Sequence, residues 1–467
     1  MGDRSGKAEL KYLESHAEPE ALLAQGLAKP ARCYGDVLVI PAAGEGAGIG
    51  EALSSIPEGP LGSVLTIVVV NATVDAGAAV HAANEQSLEV LGRAVGRGSP
   101  QRLSPNAVLY ENSHAGLLVV DRASAAFRLP EGQGVGLARK IGADLALALR
   151  LAGHVRSPWI HMSDADVVFP EDYFAQRVDS KDDAVSAQLY RFRHCPGSGA
   201  EADEAAQQYE ATLRYYVLGL RFAGSPYAFH SIGSTLAVHG LAYARVRGFP
   251  RRTAAEDFYL LNKLAKVGRV DSLEGAPLLL SSRVSHRVPF GTGTAIAKML
   301  EGRVTERPTY NPDLFHYLRA WLGALELLAG QGEAKSGASV DVEACVRAQC
   351  EEAGTPVDPV LLRAALERTG ALATARTALA APARALRRQI KDGFDGFRTL
   401  KLIHALRELG ITDLPLRDAL ARASFLDLGD DVGVFSSRDL ASRMEELENA
   451  VRDHQGERGV RPALEVR

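Results

Sequence analysis

The chain is poor in cysteine and has none in a pair. Cys33, Cys195, Cys345 and Cys350 are scattered over 467 residues. No CxxC occurs, so the thiols read as buried groups in a reducing compartment and no thiolate metal site is expected. A large excess of charge of either sign is also lacking. A formal net charge of −4 gives no basic face for nucleic acid, and no nucleic-acid partner is expected. The segment from Met1 to Arg32 is polar and broken by charges, without the apolar region of a signal peptide. No run is long enough to span a bilayer: Leu314 to Ala329 is apolar-rich but too short and too amphipathic. A cytoplasmic protein with no integral membrane segment is the expectation. A dinucleotide loop is missing as well. Pro41-Ala42-Ala43-Gly44-Glu45-Gly46-Ala47-Gly48-Ile49-Gly50 lacks the third glycine of GxGxxG, counted from Gly44 or from Gly46.

What is present describes a globular protein. At 46% hydrophobic and 24% charged, the chain can bury a large core and has length for two domains. Between about Tyr34 and Arg287, strand and helix patterns alternate. Asp36 to Pro41, Leu65 to Asn71, Leu117 to Asp121 and Trp159 to Met162 are continuous apolar runs. Such runs suit strands covered on both faces, as in a parallel α/β sheet. Helical patterns over Ala76 to Val95 and Gly136 to Leu151 separate some of them. Ligands of such sheets sit beyond the C-terminal strand ends, where Pro41, Asn71, Asp121 and Asp164 fall. After about Pro308 strand signals fade. Leu314, Leu318, Trp321, Leu322 and Leu325 form a helical stripe. Helices are expected over Val340 to Glu352, Pro359 to Thr369, Phe397 to Leu409, Leu416 to Ala423 and Arg438 to His454, with Gly330 to Ser339 as a linker or loop. The expected organisation is an N-terminal extension over 1–33, an α/β domain over 34–308 and an all-helical domain over 309–467.

The strand Trp159 to Met162 runs into Ser163-Asp164-Ala165-Asp166. Residues i and i+2 of a strand share a side, so the two carboxylates would converge on one hard cation; oxygen ligands suit Mn²⁺ or Mg²⁺. The bland alternative is a pair of turn-forming aspartates. Asn71 and Asp75 either meet a nucleoside or cap the next helix. Arg139 and Lys140, in the first turns of a helix opened by Gly134 and Gly136, either steer a diphosphate or form a solvated face. Glu256-Asp257 either caps a helix or supplies a general base. His286, in Arg283-Val284-Ser285-His286, either completes a cation's shell or is structural.

In order along the chain these segments resemble a GT-A fold glycosyltransferase, in the broad family 2-like group. The resemblance covers about Tyr34 to Phe290. Its most specific parts are Ser163-Asp164-Ala165-Asp166 with Pro170, and Gly248-Phe249 followed by Ala255-Glu256-Asp257. It implies a GT-A (nucleotide-diphospho-sugar transferase) open sheet with helices on both faces. It further implies transfer of a sugar from a nucleotide-diphosphate donor to an acceptor hydroxyl not identified by the sequence. Asp166, with Asp164, would bind the metal that bridges the donor diphosphate, and His286 would join them. Asp257 would serve as base with inversion. Pro41, Glu45, Asn71 and Asp75 would hold the nucleoside, and Arg139 takes the basic position of an Ala-Arg-Asn motif. The chain departs from the pattern in two places: Ala43-Gly44 stand where a Tyr-Asn is usual, and Lys140 replaces the Asn after Arg139. Two alternatives stay open, a sugar-phosphate nucleotidyltransferase suggested by Ala42-Ala43-Gly44-Glu45-Gly46, and a non-catalytic nucleotide-sugar-binding protein. The helical C-terminal half would shape an acceptor pocket, bind a partner or form a homo-oligomer interface. Ser285 to Thr294 is a candidate closing loop.

Overall fold

The computed structural model describes residues 2–27, 33–94, 100–112, 114–178, 185–285, 291–302, 306–334, 341–352, 357–428 and 434–456. The chain divides into two compact units, Met1–Gly199 with Ser231–Thr294, and Ala200–His230 with Ala295–Arg467.

The first unit is built on a mixed open sheet. Its strands in chain order are β1 (Asp36–Ala42), β2 (Val64–Asn71), β3 (Gln101–Ser104), β4 (Ala107–Glu111), β5 (Ala115–Arg122), β6 (Trp159–Met162), β8 (Val185–Leu189), β10 (Leu236–His239) and β11 (Arg269–Ser272). A small second sheet joins β7 (Val167–Val168), β9 (Phe192–Cys195) and β12 (Leu278–Ser281). The large sheet is nine-stranded in the order β11-β8-β10-β6-β1-β2-β5-β4-β3. Its centre, β6-β1-β2-β5, is parallel throughout. These are the runs that read as apolar in the sequence, and every residue of β1 and β2 is buried, as two covered faces require. β10 runs antiparallel between β6 and β8, and β4 and β3 close the other edge antiparallel.

Helices α1 (Gly2–His16), α2 (Leu23–Gly26), α3 (Ile49–Ser54), α4 (Ala78–Ala94) and α5 (Gly134–Leu151) belong to this unit. α5 lies so close on the sheet that a Cβ at Gly142 would run into Val39. The N-terminal segment is fastened to α5 through the fully buried Asp144. Its Oδ1 accepts from the Tyr12 hydroxyl at 2.5 Å and the Tyr243 hydroxyl at 2.8 Å. Its Oδ2 accepts from the Glu18 backbone N–H and Lys140 Nζ, both at 2.8 Å.

The second unit is helical apart from a short antiparallel ladder of Pro308–Thr309 with Leu414–Pro415, a departure from the expected all-helical domain. It contains α6 (Ala200–Phe222), which the sequence patterns did not reveal, and the expected helices at Asp313–Ala334, Val342–Glu352, Pro359–Arg368, Gly396–Glu408, Leu416–Arg422 and Ser437–Gly456. Leu314, Leu318, Trp321 and Leu325 lie in its core. Gly330 does not begin a loop as expected: the helix continues to Ala334, held by the buried Leu328 and Ala329 just before it. Arg214 of α6 is buried against carboxylates, donating to Glu210 Oε1 at 2.8 Å and Glu448 Oε2 at 2.9 Å. Among the described residues no helix is long and apolar enough to cross a membrane.

Candidate active site

The site is organised by one guanidinium. Gly136, in the first turn of α5, donates its N–H to Arg252 O at 2.9 Å. A Cβ at Gly136 would stand 2.6 Å from both Pro250 O and Arg252 O, so only glycine permits this approach. Arg139, one turn on, is 3% exposed. Its Nε donates to Glu256 Oε1 at 2.9 Å, its Nη1 to Ser163 O at 3.3 Å and its Nη2 to Asp164 Oδ1 at 2.5 Å. Gly233 lies flat against it, where a Cβ would come within 2.5 Å of Nη2. Burial pulls the Arg139 pKa down, but Asp164, Glu256 and Asp257 outweigh it and hold the group charged, above its ordinary value. Arg139 thus joins the Asp-x-Asp segment to the Glu-Asp pair.

Asp257 sits in the first turn of a helix at Glu256–Val267, where a carboxylate is favoured by the helix dipole. The preceding Ala255 is held at φ 59, in the left-handed region that glycine prefers. Arg252 stacks over the Tyr259 ring at 3.9 Å and steadies this turn. Burial, followed by the charge of Glu256, pushes the Asp257 carboxyl up to about 7; the Phe258 N–H, donating at 2.7 Å, and Arg139 pull the other way. A carboxyl with that value is matched to proton transfer near neutral pH.

The two aspartates of Asp-x-Asp lie differently from the strand argument. β6 ends at Met162, and Asp166 falls in a turn before β7, so the alternation that would align residues i and i+2 does not operate. Their carboxylates meet different cations. Asp164 receives Arg139, while Asp166 Oδ2 receives Arg283 Nη2 at 3.1 Å. The same Nη2 donates to Glu45 Oε2 at 2.8 Å. Burial lowers the Arg283 pKa, but Glu45 and Asp166 raise it above its ordinary value overall. Asp164 and Asp166 stay open to solvent, at 41% and 34% side-chain exposure. Asp166 and Glu45 therefore already converge on one cationic nitrogen, and this all-oxygen donor set fits a hard divalent cation. No cluster of three or more metal-ligating side chains occurs among the described residues. His286 lies outside those residues, as does half of the candidate closing loop, whose end, from Thr292, is helical.

Pro41 lies within β1, opposite Val69. The loop after it is fixed, not loose: Gly44 N donates to Asn84 Oδ1 at 2.7 Å, and Gly46 O accepts from Ser87 Oγ at 3.0 Å. Asn71 ends β2 with its amide turned back onto the sheet, donating to Ala42 O at 3.0 Å and Val69 O at 3.2 Å. Asp75 is exposed in the turn before α4. Lys140 is not part of a solvated or diphosphate-steering face. It is buried, and its Nζ is engaged by Tyr12 at 2.7 Å and Asp144 at 2.8 Å. Successive helix positions point about 100° apart, so Arg139 and Lys140 take different surroundings. Sequence patterns missed Glu256 as the partner of Arg139, and they missed Arg283 altogether. The only signal for Arg283 was its place three residues before His286.

No family model and no curated protein matches the chain. Among solved structures, the chain overlaps the mannosyltransferase PcManGT from Pyrobaculum calidifontis, in complex with GDP-Man and Mn²⁺, at 17% identity and TM-score 0.33, covering 87% of this chain and 96% of that one. It also overlaps S. aureus TarS 1-349 in complex with UDP-GlcNAc at 12% identity and TM-score 0.35, covering 80% and 92%. Superpositions this loose leave the fold to be judged on the sheet itself. That sheet is open, α/β and parallel at its centre, as expected, with Asp-x-Asp just beyond a central strand, and a helical C-terminal part accompanies it.

Proposed function

We propose that this protein transfers a sugar from a nucleotide-diphosphate donor to an acceptor hydroxyl, with inversion, in a divalent-metal-dependent reaction. The observation that carries the reading is the Arg139 contact linking Asp164 to the Glu256-Asp257 pair, beside a carboxyl whose value is pushed up to about 7. Asp166 and Asp164, with His286 as a further candidate ligand, would hold Mn²⁺ or Mg²⁺. Such an ion supplies charge stabilisation to the departing diphosphate. Pro41, Asn71 and Asp75 mark the nucleoside side, at the ends of β1 and β2 and the turn after β2, while Glu45, which shares Arg283 with Asp166, faces the cation. Asp257 takes the proton of the acceptor hydroxyl; that oxygen bonds the anomeric carbon as the bond to the diphosphate oxygen breaks. Arg139 keeps its charge beside the carboxylates and aligns Asp164.

The variant Asp257→Asn tests this directly. It is expected to bind the donor nucleotide as the wild type does while losing about 100-fold or more in transfer, the scale of a missing general base. Wild-type turnover would remove Asp257 as base.

A further inference from the structure

Glu45 comes from the loop after β1, and Asp166 from the turn between β6 and β7. Their carboxylate oxygens meet at a single nitrogen, Nη2 of Arg283, at 2.8 and 3.1 Å. Arg283 arrives from just beyond β12, so separate loops place a guanidinium at the point where the proposed function needs a hard cation. Two like charges cannot share that point without strong repulsion. The Arg283 side chain is 39% exposed, which leaves it room to swing aside by rotation about its own torsions. A guanidinium released beside a diphosphate finds an anion whose oxygens it matches in pairs.

We propose that Arg283 exchanges places with the divalent cation. In the ligand-free protein it neutralises Glu45 and Asp166. When metal and nucleotide bind, it gives up these carboxylates and becomes a ligand of the donor's diphosphate. This rests on the reading that Asp166 helps to hold a cation, and it assigns Arg283 two opposite effects: against free metal and in favour of the nucleotide.

The test uses the full chain and Mn²⁺ binding followed by electron paramagnetic resonance, first without nucleotide. Removing one charge-assisted competitor in Arg283→Gln is expected to tighten Mn²⁺ binding about tenfold, whereas Arg283→Lys stays near wild type. In saturating Mn²⁺, the same Arg283→Gln protein is expected to bind UDP or GDP, titrated separately, about tenfold more weakly than wild type. Unchanged or weakened Mn²⁺ binding in Arg283→Gln overturns the exchange, and undiminished nucleotide affinity overturns the diphosphate half of it. Asp166→Asn separates this failure from failure of the site reading. If that variant binds Mn²⁺ as wild type does, the Asp166 metal assignment falls. If it loses Mn²⁺ while Arg283→Gln is unaltered, only the exchange falls.

Discussion

A carboxyl whose value is pushed up to about 7 can act as a base only above that pH. If Asp257 accepts the acceptor's proton, kcat/KM is expected to fall about tenfold per unit below pH 7 and to level off above it. A profile flat from pH 5 to 8 would dismiss Asp257. Stability carries the opposite sign. The folded value lies above the unfolded one of about 3.9, so the fold favours the protonated form. The resulting stabilisation is fully present below the unfolded value and is lost as pH rises through about 7. Asp257→Asn, uncharged at every pH, is therefore expected to melt above wild type at pH 8, with the gap closing toward pH 5. Equal melting temperatures at pH 8 would contradict the burial that raises this group. At this scale Asp164, Asp166, Arg139 and the Glu256-Asp257 pair could be singled out as candidates because each sits in a short motif. The pairing of Glu256 with Arg139 and the place of Arg283 could not. Both depend on which loops meet in space, and spacing along the chain holds no record of that.

Between residues and the whole stand the turns that aim Asp257. A methyl at Gly136 would lie 2.6 Å from two backbone carbonyls, Pro250 O and Arg252 O. Backbone cannot yield as a flexible side-chain end can, so α5 or the segment leading to Glu256 must shift. A displacement near 1 Å costs about 100-fold in rate. Gly136→Ala is expected to lose about that much kcat while keeping its helix content, and normal turnover would mean that the segment absorbs the methyl without moving Asp257. Ala255 presents the converse case. At φ 59 an alanine bears about 1 kcal/mol of strain that a glycine does not. Ala255→Gly should gain part of that in urea denaturation, and a loss of stability would show that the strain is relieved elsewhere. The legibility of elements follows burial. β1, β2, β5 and β6 could be read because the sheet's centre is buried on both faces and tolerates unbroken apolar runs. β3 is half exposed and carries too little apolar pattern to stand out. His161 within β6 is accommodated as a neutral group, its pKa pushed down to about 3 by burial and by Arg177, while its Nδ1 pairs with the Tyr190 hydroxyl at 2.9 Å.

At the scale of the molecule, the proposed site must register in global stability. A ligand that binds only the folded protein stabilises it by about 2.7 kcal/mol at 100 times its dissociation constant. For a cooperative unit of 150 to 250 residues, each kcal/mol moves the melting temperature by roughly 2–4 °C, so the shift is large enough to read directly. The purified protein should therefore be melted with UDP, GDP, ADP, CDP and TDP, each with and without Mn²⁺. The expected outcome is a shift with one nucleotide or a small subset, and only when Mn²⁺ is present. The discrimination would come from the nucleoside edge at Pro41, Asn71 and Asp75. The metal requirement would come from Asp164 and Asp166, so Asp166→Ala should abolish the shift while leaving the unliganded melting temperature near wild type. Asp166 is 34% exposed, and its loss opens no cavity in the core. A shift that persists in Asp166→Ala would detach nucleotide binding from the Asp-x-Asp carboxylates. A shift of equal size without Mn²⁺ would assign charge neutralisation of the diphosphate to Arg139 and Arg283, the guanidinium groups that already face these carboxylates.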